Sequence, residues 1–262
     1  MNRLGRLLAG SLLVFLPAPI VVIAASSLSK DGYMRFPPGE PSLRWYREAM
    51  GDPRWIDAIV SSLSIAAVVS VIVTAIALGA VYAGYRLRPR WFGAFELAVM
   101  SPLFFPHAAL GVALVHALAV LGLLGGSAGI AVAHLVVTLP FAFRPIAAAM
   151  SRIDPQILEA ASLMGANERQ MALGLALPLA RSGIVTALVF AFIISFDEVT
   201  VTMFLTGPAV TTLPVQIYAF IQEDASPVLA AISTATVLAT LLVVLILERL
   251  IGLQFFVEQE TG

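Results

Sequence analysis

Among the few polar residues that this chain places in apolar surroundings, Asp197 and Glu198 stand out, adjacent in SFDEVTVTMF with Ser195, Thr200 and Thr202 around them. A charged side chain near a bilayer centre costs about 2.5–3.5 kcal/mol on insertion scales, and less towards the interface. Two carboxylates side by side therefore call for a watery cavity, a cationic partner, or a proton kept by one of them. Neighbours on a helix point about 100° apart, so both need not face one ligand. Two readings stay open: contact with a cationic group of a solute, or hydration and pairing at an outer mouth.

Other chemistries have less to draw on. His107, His116 and His134 lie in or beside apolar helical runs and match no HExxH spacing; they read as packing histidines. With no cysteine there is no disulfide framework, thiolate metal site or cysteine nucleophile. Neither GxSxG nor GxxxxGK[ST] occurs, so no hydrolase elbow and no ATP-binding loop is expected. Gly122, Gly125, Gly126 and Gly129 suit a tight turn and close helix approach. No metal, cofactor or covalent chemistry is assigned to the chain.

The elements that must position these residues follow from composition. The 262 residues are 60% hydrophobic and 12% charged, which excludes an ordinary soluble domain. The net charge of −1 gives no reason to expect a nucleic-acid partner. Apolar runs of about 20 residues cross a bilayer as helices. Six are predicted, at about 7–28, 57–84, 93–121, 127–149, 180–205 and 228–250. The first has Arg3 and Arg6 before it, as a signal peptide would, but runs too long and lacks a small-residue cleavage site, so it reads as a retained span. The third holds Pro102 and Pro106 and is predicted to kink or unwind locally. With both termini inside, ten of the fifteen basic residues fall on the inner side, and Lys30, Arg35, Arg44, Arg47 and Arg54 outside.

Between the spans, 29–56 is rich in Pro and Gly up to Pro41 and then predicts an amphipathic helix, SLRWYREAM. Trp45 and Tyr46 there read as headgroup anchors, with a docking surface for an extracytoplasmic protein as the second reading. Segment 206–227 predicts a short helix or re-entrant piece over Leu213–Ile221. Glu96 and Glu248, near arginines at span ends, read as snorkelling or pairing. Glu258 and Glu260 read as part of a solvated tail.

The segment Asp154–Pro178 has its own punctuation. Asp154 is suited to cap a helix with Pro155 at its first position. Gly165 suits the helix end, and Asn167 with Gln170 three residues on suggests a capping box for a second helix. Pro178 marks the next break. The first helix is mostly apolar with a polar stripe at Gln156, Glu159 and Ser162, made to lie in another protein's groove.

Glu159-Ala160-Ala161, three residues, Gly165, nine residues, Leu175, one residue and Leu177-Pro178 resemble the EAA loop of bacterial ABC-importer permeases, which usually carry isoleucine where Leu175 stands. SFDEVTVTMFLTGPAVTTLPVQIY resembles the corresponding region of polyamine-importer permeases. One departure is Met100-Ser101-Pro102-Leu103, where spermidine-type permeases commonly carry an aspartate after Met-Ser-Pro. The resemblance implies an all-α polytopic membrane protein with six transmembrane helices and the type I ABC-importer permease fold. It would be a single permease domain over 1–262, with a cytoplasmic coupling loop at 151–178 and outer segments at 29–56 and 206–227. It also implies a multi-pass place in the bacterial inner membrane, both termini cytoplasmic. The implied partners are two copies of a cytoplasmic ATP-binding subunit that hydrolyses the ATP, a second homologous permease, and a periplasmic solute-binding protein.

On that resemblance Glu159 contacts a basic residue or backbone donor of the ATPase, and Ala160 and Ala161 permit close approach. Gly165 sets the angle between the two short helices and Asn167 holds the second. Asp197, Glu198, Ser195, Thr202 and Trp45 are the expected solute-path residues. The expected solute is a polyamine such as putrescine or spermidine, or a related small amine. A 2-aminoethylphosphonate or opine importer, a secondary transporter or channel, and an intramembrane enzyme are the alternatives.

Overall fold

The computed structural model describes residues 3–223 and 226–251; the tail with Glu258 and Glu260 lies outside the described residues. Every regular element among the described residues is a helix. In order it forms α1 (Arg3–Phe15), α2 (Ala18–Ser26), α3 (Arg44–Gly51), α4 (Pro53–Leu87), α5 (Phe92–Met100), α6 (His107–Val120) and α7 (Ser127–Met150). The short α8 (Pro155–Leu163), α9 (Glu168–Met171) and α10 (Leu177–Leu179) follow, then α11 (Arg181–Asp197), α12 (Thr202–Leu205), α13 (Leu213–Glu223) and α14 (Pro227–Ile251).

Among the described residues three segments are long and apolar enough to cross a membrane as continuous or nearly continuous helix: Leu8–Ser26, Pro53–Leu87 and Ser127–Met150. Two more are broken pairs, Phe92–Phe104 with His107–Val120 and Glu168–Leu179 with Arg181–Asp197, and Pro227–Val243 is a shorter apolar helix. These six apolar segments each overlap one of the six predicted spans, the fifth beginning about twelve residues earlier than predicted and ending at Asp197. Two differ in shape from expectation. The third does not merely kink: its halves meet at 109°. Pro102 and Pro106 each lack an N–H, and Phe105 between them is extended, so no ladder bridges the break. The fifth stops as a helix at Asp197 and does not continue to 205, because Glu198 and Thr202 take up the backbone groups that would extend it.

The chain forms two compact units, Met1–Asp57 with Gln216–Ile246, and Ala58–Val215 with Leu247–Gly262. In the first, the 28–42 loop is closed by Ser42 N–H to Leu28 O (2.7 Å) and Lys30 N–H to Glu40 O (3.2 Å). The predicted amphipathic helix is α3. Its Trp45 is not turned to headgroups: the ring is 5% exposed, its indole N–H donates to Ser29 O at 2.8 Å, and the Arg44 guanidinium covers it at 4.7 Å. Tyr46 O–H and Ser27 Oγ share a hydrogen bond of 2.8 Å. Trp45 therefore ties loop to helix. Trp55 and Phe220 pack edge to face in the same unit.

The second unit is built around α7. One cluster joins Val73, Ala77 and Val81 of α4 to Phe143, Ile146 and Met150 of α7 and Ala187 and Ala191 of α11. A second joins Ile65 and Val69 to Leu118, Ile130, Val137 and Leu205. Gly183 lets α11 approach α7: a Cβ there would meet Ala149 Cβ and Pro145 O, each at 2.5 Å. The other face of α4 leaves Val60, Val68, Val71 and Ile76 exposed. A helix apolar all round suits a bilayer.

Candidate functional site

Two places in the second unit gather the polar and coupling residues. The first is the helical hairpin at 154–171. Asp154 Oδ1 accepts the Gln156 N–H at 2.9 Å with Pro155 at the first helical position, and α8 starts there. It ends with Gly165 at φ +87°, a left-handed conformation that favours glycine. Ala166 N–H reaches back to Ala161 O and Gly165 N–H to Ser162 O, each 3.0 Å, and Ala166 packs on the cluster holding Ala161. Asn167 Oδ1 accepts from Gln170 N–H and Gln170 Oε1 from Asn167 N–H, both 2.9 Å, so the predicted capping box is complete. The helix then widens over Ala172–Ala176, a wide turn that accommodates Pro178, and bends by 73° into α11.

The hairpin has an inside and an outside. Leu158, Ala161 and Met171 are buried together, with Tyr85, Ala166 and Leu175 against them. Of the expected coupling residues, Glu159, Ala160 and Gly165 are exposed, while Ala161 is 6% exposed and faces the hairpin's own core. Glu159 lines a small cavity of about 120 Å³ with Tyr85, Arg86, Arg88 and Pro155. The outer face also presents Leu163 (90% exposed), Met164 (83%) and Ile157 (43%). The sequence marks this helix as mostly apolar and suited to a partner's groove, without singling out the tip as the exposed face. Its signal was there: α8 has apolar residues at Leu158 and Ala161 and again at Ile157, Ala160, Leu163 and Met164, two faces where a surface helix needs one.

The second place is the end of α11. His134, 1% exposed on α7, has Nδ1 at 2.8 Å from Ser195 Oγ and Nε2 at 2.8 Å from Thr202 Oγ1. Thr202 has one hydroxyl proton, and it goes to Glu198 O at 2.7 Å. Thr202 must then accept from His134, which puts the imidazole proton on Nε2 and makes Nδ1 the acceptor for Ser195. The neutral ring satisfies every member of this chain.

The acidic neighbours differ in surroundings. Glu198 is 7% exposed; Oε1 accepts the Val201 N–H at 2.9 Å and Oε2 lies 3.4 Å from His107 Nδ1. Asp197 is exposed and makes no hydrogen bond or ion pair among the described residues. So Ser195, Glu198 and Thr202 come together in one network, with their polar groups used internally. Asp197 stays free beside it. Trp45 belongs to the other unit. Of the histidines, His134 is the buried packing residue expected, while His107 is exposed beside Glu198 and His116 is exposed on α6. Among the described residues no three His, Asp or Glu side chains converge to hold a metal ion.

A cleft of about 670 Å³ runs between α4, α5 and α7, lined by Tyr85, Phe92, Glu96, Phe143 and Arg144 among others. Glu96 makes no ion pair there, and Arg144 Nε points to Met100 Sδ at 3.4 Å.

Known proteins resemble this chain over most of its length. The spermidine/putrescine transport system permease protein PotC of Haemophilus influenzae is 28% identical over 237 residues, covering 90% of this chain and 91% of that one. The putrescine transport system permease protein PotI of Escherichia coli K12 is 28% identical over 233 residues, covering 84% and 80%. A bacterial alginate ABC transporter, solved in complex with an alginate pentasaccharide-bound periplasmic protein, superposes with a TM-score of 0.74 at 17% identity, over 94% of this chain and 92% of that one. That likeness establishes the fold, that of a type I ABC-importer permease. The sequence profile of the binding-protein-dependent transport system inner membrane component family matches residues 72–254, more than half of the 262. The chain belongs to that family, and is a transport permease of the bacterial inner membrane and not an enzyme.

Proposed function

We propose that this permease forms half of the path by which a small cationic amine of the putrescine and spermidine class enters the cell. The observation that carries the reading is Asp197: an exposed carboxylate without a partner among the described residues, at the C-terminal end of α11 where the helix stops short of α12. Helix breaks in transporters expose backbone groups to a cavity, and a free anion there attracts a cation. The polyamine systems to which PotC and PotI belong supply the substrate class.

The α8–α9 hairpin is the docking point for a cytoplasmic ATPase, present in two copies beneath this chain and a second, similar permease. Glu159 and Ala160, with Leu163 and Met164 beside them, enter the ATPase groove. Gly165 and Asn167 fix the angle of the hairpin, and Ala161 stiffens it from within. ATP-driven closure shifts the hairpin and switches the spans between inward-open and outward-open states. Both termini are cytoplasmic, in keeping with the arginine distribution, and a periplasmic solute-binding protein delivers the amine.

The test is uptake by the reconstituted complex, with its ATPase, second permease and binding protein, of labelled putrescine and spermidine. ATP-dependent accumulation is expected. A complex that imports another solute on ATP but neither amine would overturn the substrate reading.

A further inference from the structure

α4 has 35 residues and is roughly 52 Å long, whereas the hydrocarbon core of a bilayer is about 30 Å thick. A helix of that length extends well beyond the membrane it spans. Its last turns carry Tyr82, Tyr85 and Arg86, spaced three and four residues apart and so on one face.

All three grip the coupling hairpin. Tyr85 O–H donates to the carbonyl of Ile153, at the entry to α8. Tyr82 O–H donates to Glu168 Oε2 at 3.0 Å, and Arg86 Nε donates to Glu168 Oε1 at 3.2 Å, with Nη2 3.1 Å from the same oxygen in the ion pair. Both oxygens of Glu168, the first residue of α9, are thus taken by α4. Between the two grips Tyr85 packs against Leu158, Ala161 and Met171. The hairpin is held at entry and exit by a helix that precedes it in sequence by some 65 residues, in addition to its covalent ends on α7 and α10.

We propose that Glu168, Arg86 and Tyr82 are positioning residues that fasten the hairpin to α4, so that displacement of the hairpin is delivered into α4 as well as α11. The proposal rests on the reading of α8 as the ATPase-docking helix and adds the route by which the movement leaves it. The ion pair contributes little to folding, since Arg86 is 27% and Glu168 61% exposed. Its loss leaves the chain folded. What it prevents is slippage: a hairpin free to rotate on α4 moves without biasing the spans, and coupling is only as large as the difference in contacts between the two states.

The experiment measures solute imported per ATP hydrolysed by the reconstituted complex, for the wild type, Glu168→Gln, Glu168→Arg, and Glu168→Arg combined with Arg86→Glu. The ATPase is expected to co-purify with every variant. The ratio should fall about five-fold in Glu168→Arg, where like charges meet, and less in Glu168→Gln; the exchanged pair should recover most of it. Tyr82→Phe should lower the ratio slightly and serves if the arginine variant fails to fold. An unchanged ratio in Glu168→Gln, Glu168→Arg and Tyr82→Phe with the ATPase bound overturns the fastening role, as does less complex in the membrane at constant ratio. If the ATPase does not co-purify with the wild type, the docking reading itself is overturned and this inference with it.

Discussion

His107 Nδ1 lies 3.4 Å from Glu198 Oε2, which joins the first residue after the break between α5 and α6 to the residue that ends α11. The same carboxylate caps α12 through Val201 N–H. One oxygen of this side chain is therefore used at the start of α12, and the other faces the break between α5 and α6. Asp197, one residue earlier, uses neither among the described residues.

That contrast separates the two acidic residues experimentally. Asp197→Asn should reduce uptake of a doubly charged amine by about ten-fold or more while the amount of assembled complex is unchanged, since losing a charge-assisted contact costs about 1.5–3 kcal/mol. Initial uptake rates across a substrate series check this; kinetics equal to wild type would remove Asp197 from the solute path.

Glu198 should behave differently. Glu198→Ala leaves the buried Val201 N–H without its acceptor, at a cost of about 1–3 kcal/mol, and the detergent-solubilised protein should melt at lower temperature. Glu198→Gln keeps an oxygen for that N–H and should melt closer to wild type. Equal melting of Glu198→Ala and wild type would show that the cap contributes nothing.

The buried histidine gives a third prediction. His134→Ala removes the acceptor of Ser195 and the donor to Thr202 and leaves a cavity between α7 and α11, so a loss of roughly 2–5 kcal/mol is expected. Adding Ser195→Ala to that variant should cost little more, because the hydroxyl has already lost its partner. Thermal unfolding of the two singles and the double reads this directly, and additive losses would contradict the shared network.

How far these features were legible in the sequence depends on how local they are. Asp154 with Gln156 and Asn167 with Gln170 act within three residues, so their caps could be read from spacing and are found as read. Gly165 is the same case. The 109° turn at Phe105 was legible only as a break: two prolines say that the ladder fails, but the angle is set by packing around it. Asp197 and Glu198 are equivalent on paper; burial, the Val201 N–H and the nearness of His107, some 90 residues away, set Glu198 apart in the fold. Trp45 likewise looks like an interface anchor until the Ser29 carbonyl takes its N–H. The inward turn of Ala161 depends on Met171 and Tyr85 lying beneath it, which the motif alone does not show.

The exposed tip of α8 provides the last test. Leu163 and Met164 are 90% and 83% exposed and follow Ala160 along the outer face, so their apolar surface is uncovered in the chain alone. Burying a side chain of that size in a partner's groove contributes about 1.5–3 kcal/mol. Leu163→Asp should therefore weaken retention of the ATPase by at least ten-fold, while membrane insertion is unaffected because no other described residue covers that side chain. Ala161→Leu should act by another route, overfilling the cluster with Leu158 and Met171 and loosening the hairpin, at a cost of about 1–3 kcal/mol. Co-purification of the ATPase distinguishes the two: Leu163→Asp should lose the partner from a hairpin whose melting is unchanged, and Ala161→Leu should melt earlier. Full retention of the ATPase by Leu163→Asp would move the docking surface off the tip and back to Glu159 and Ala160 alone.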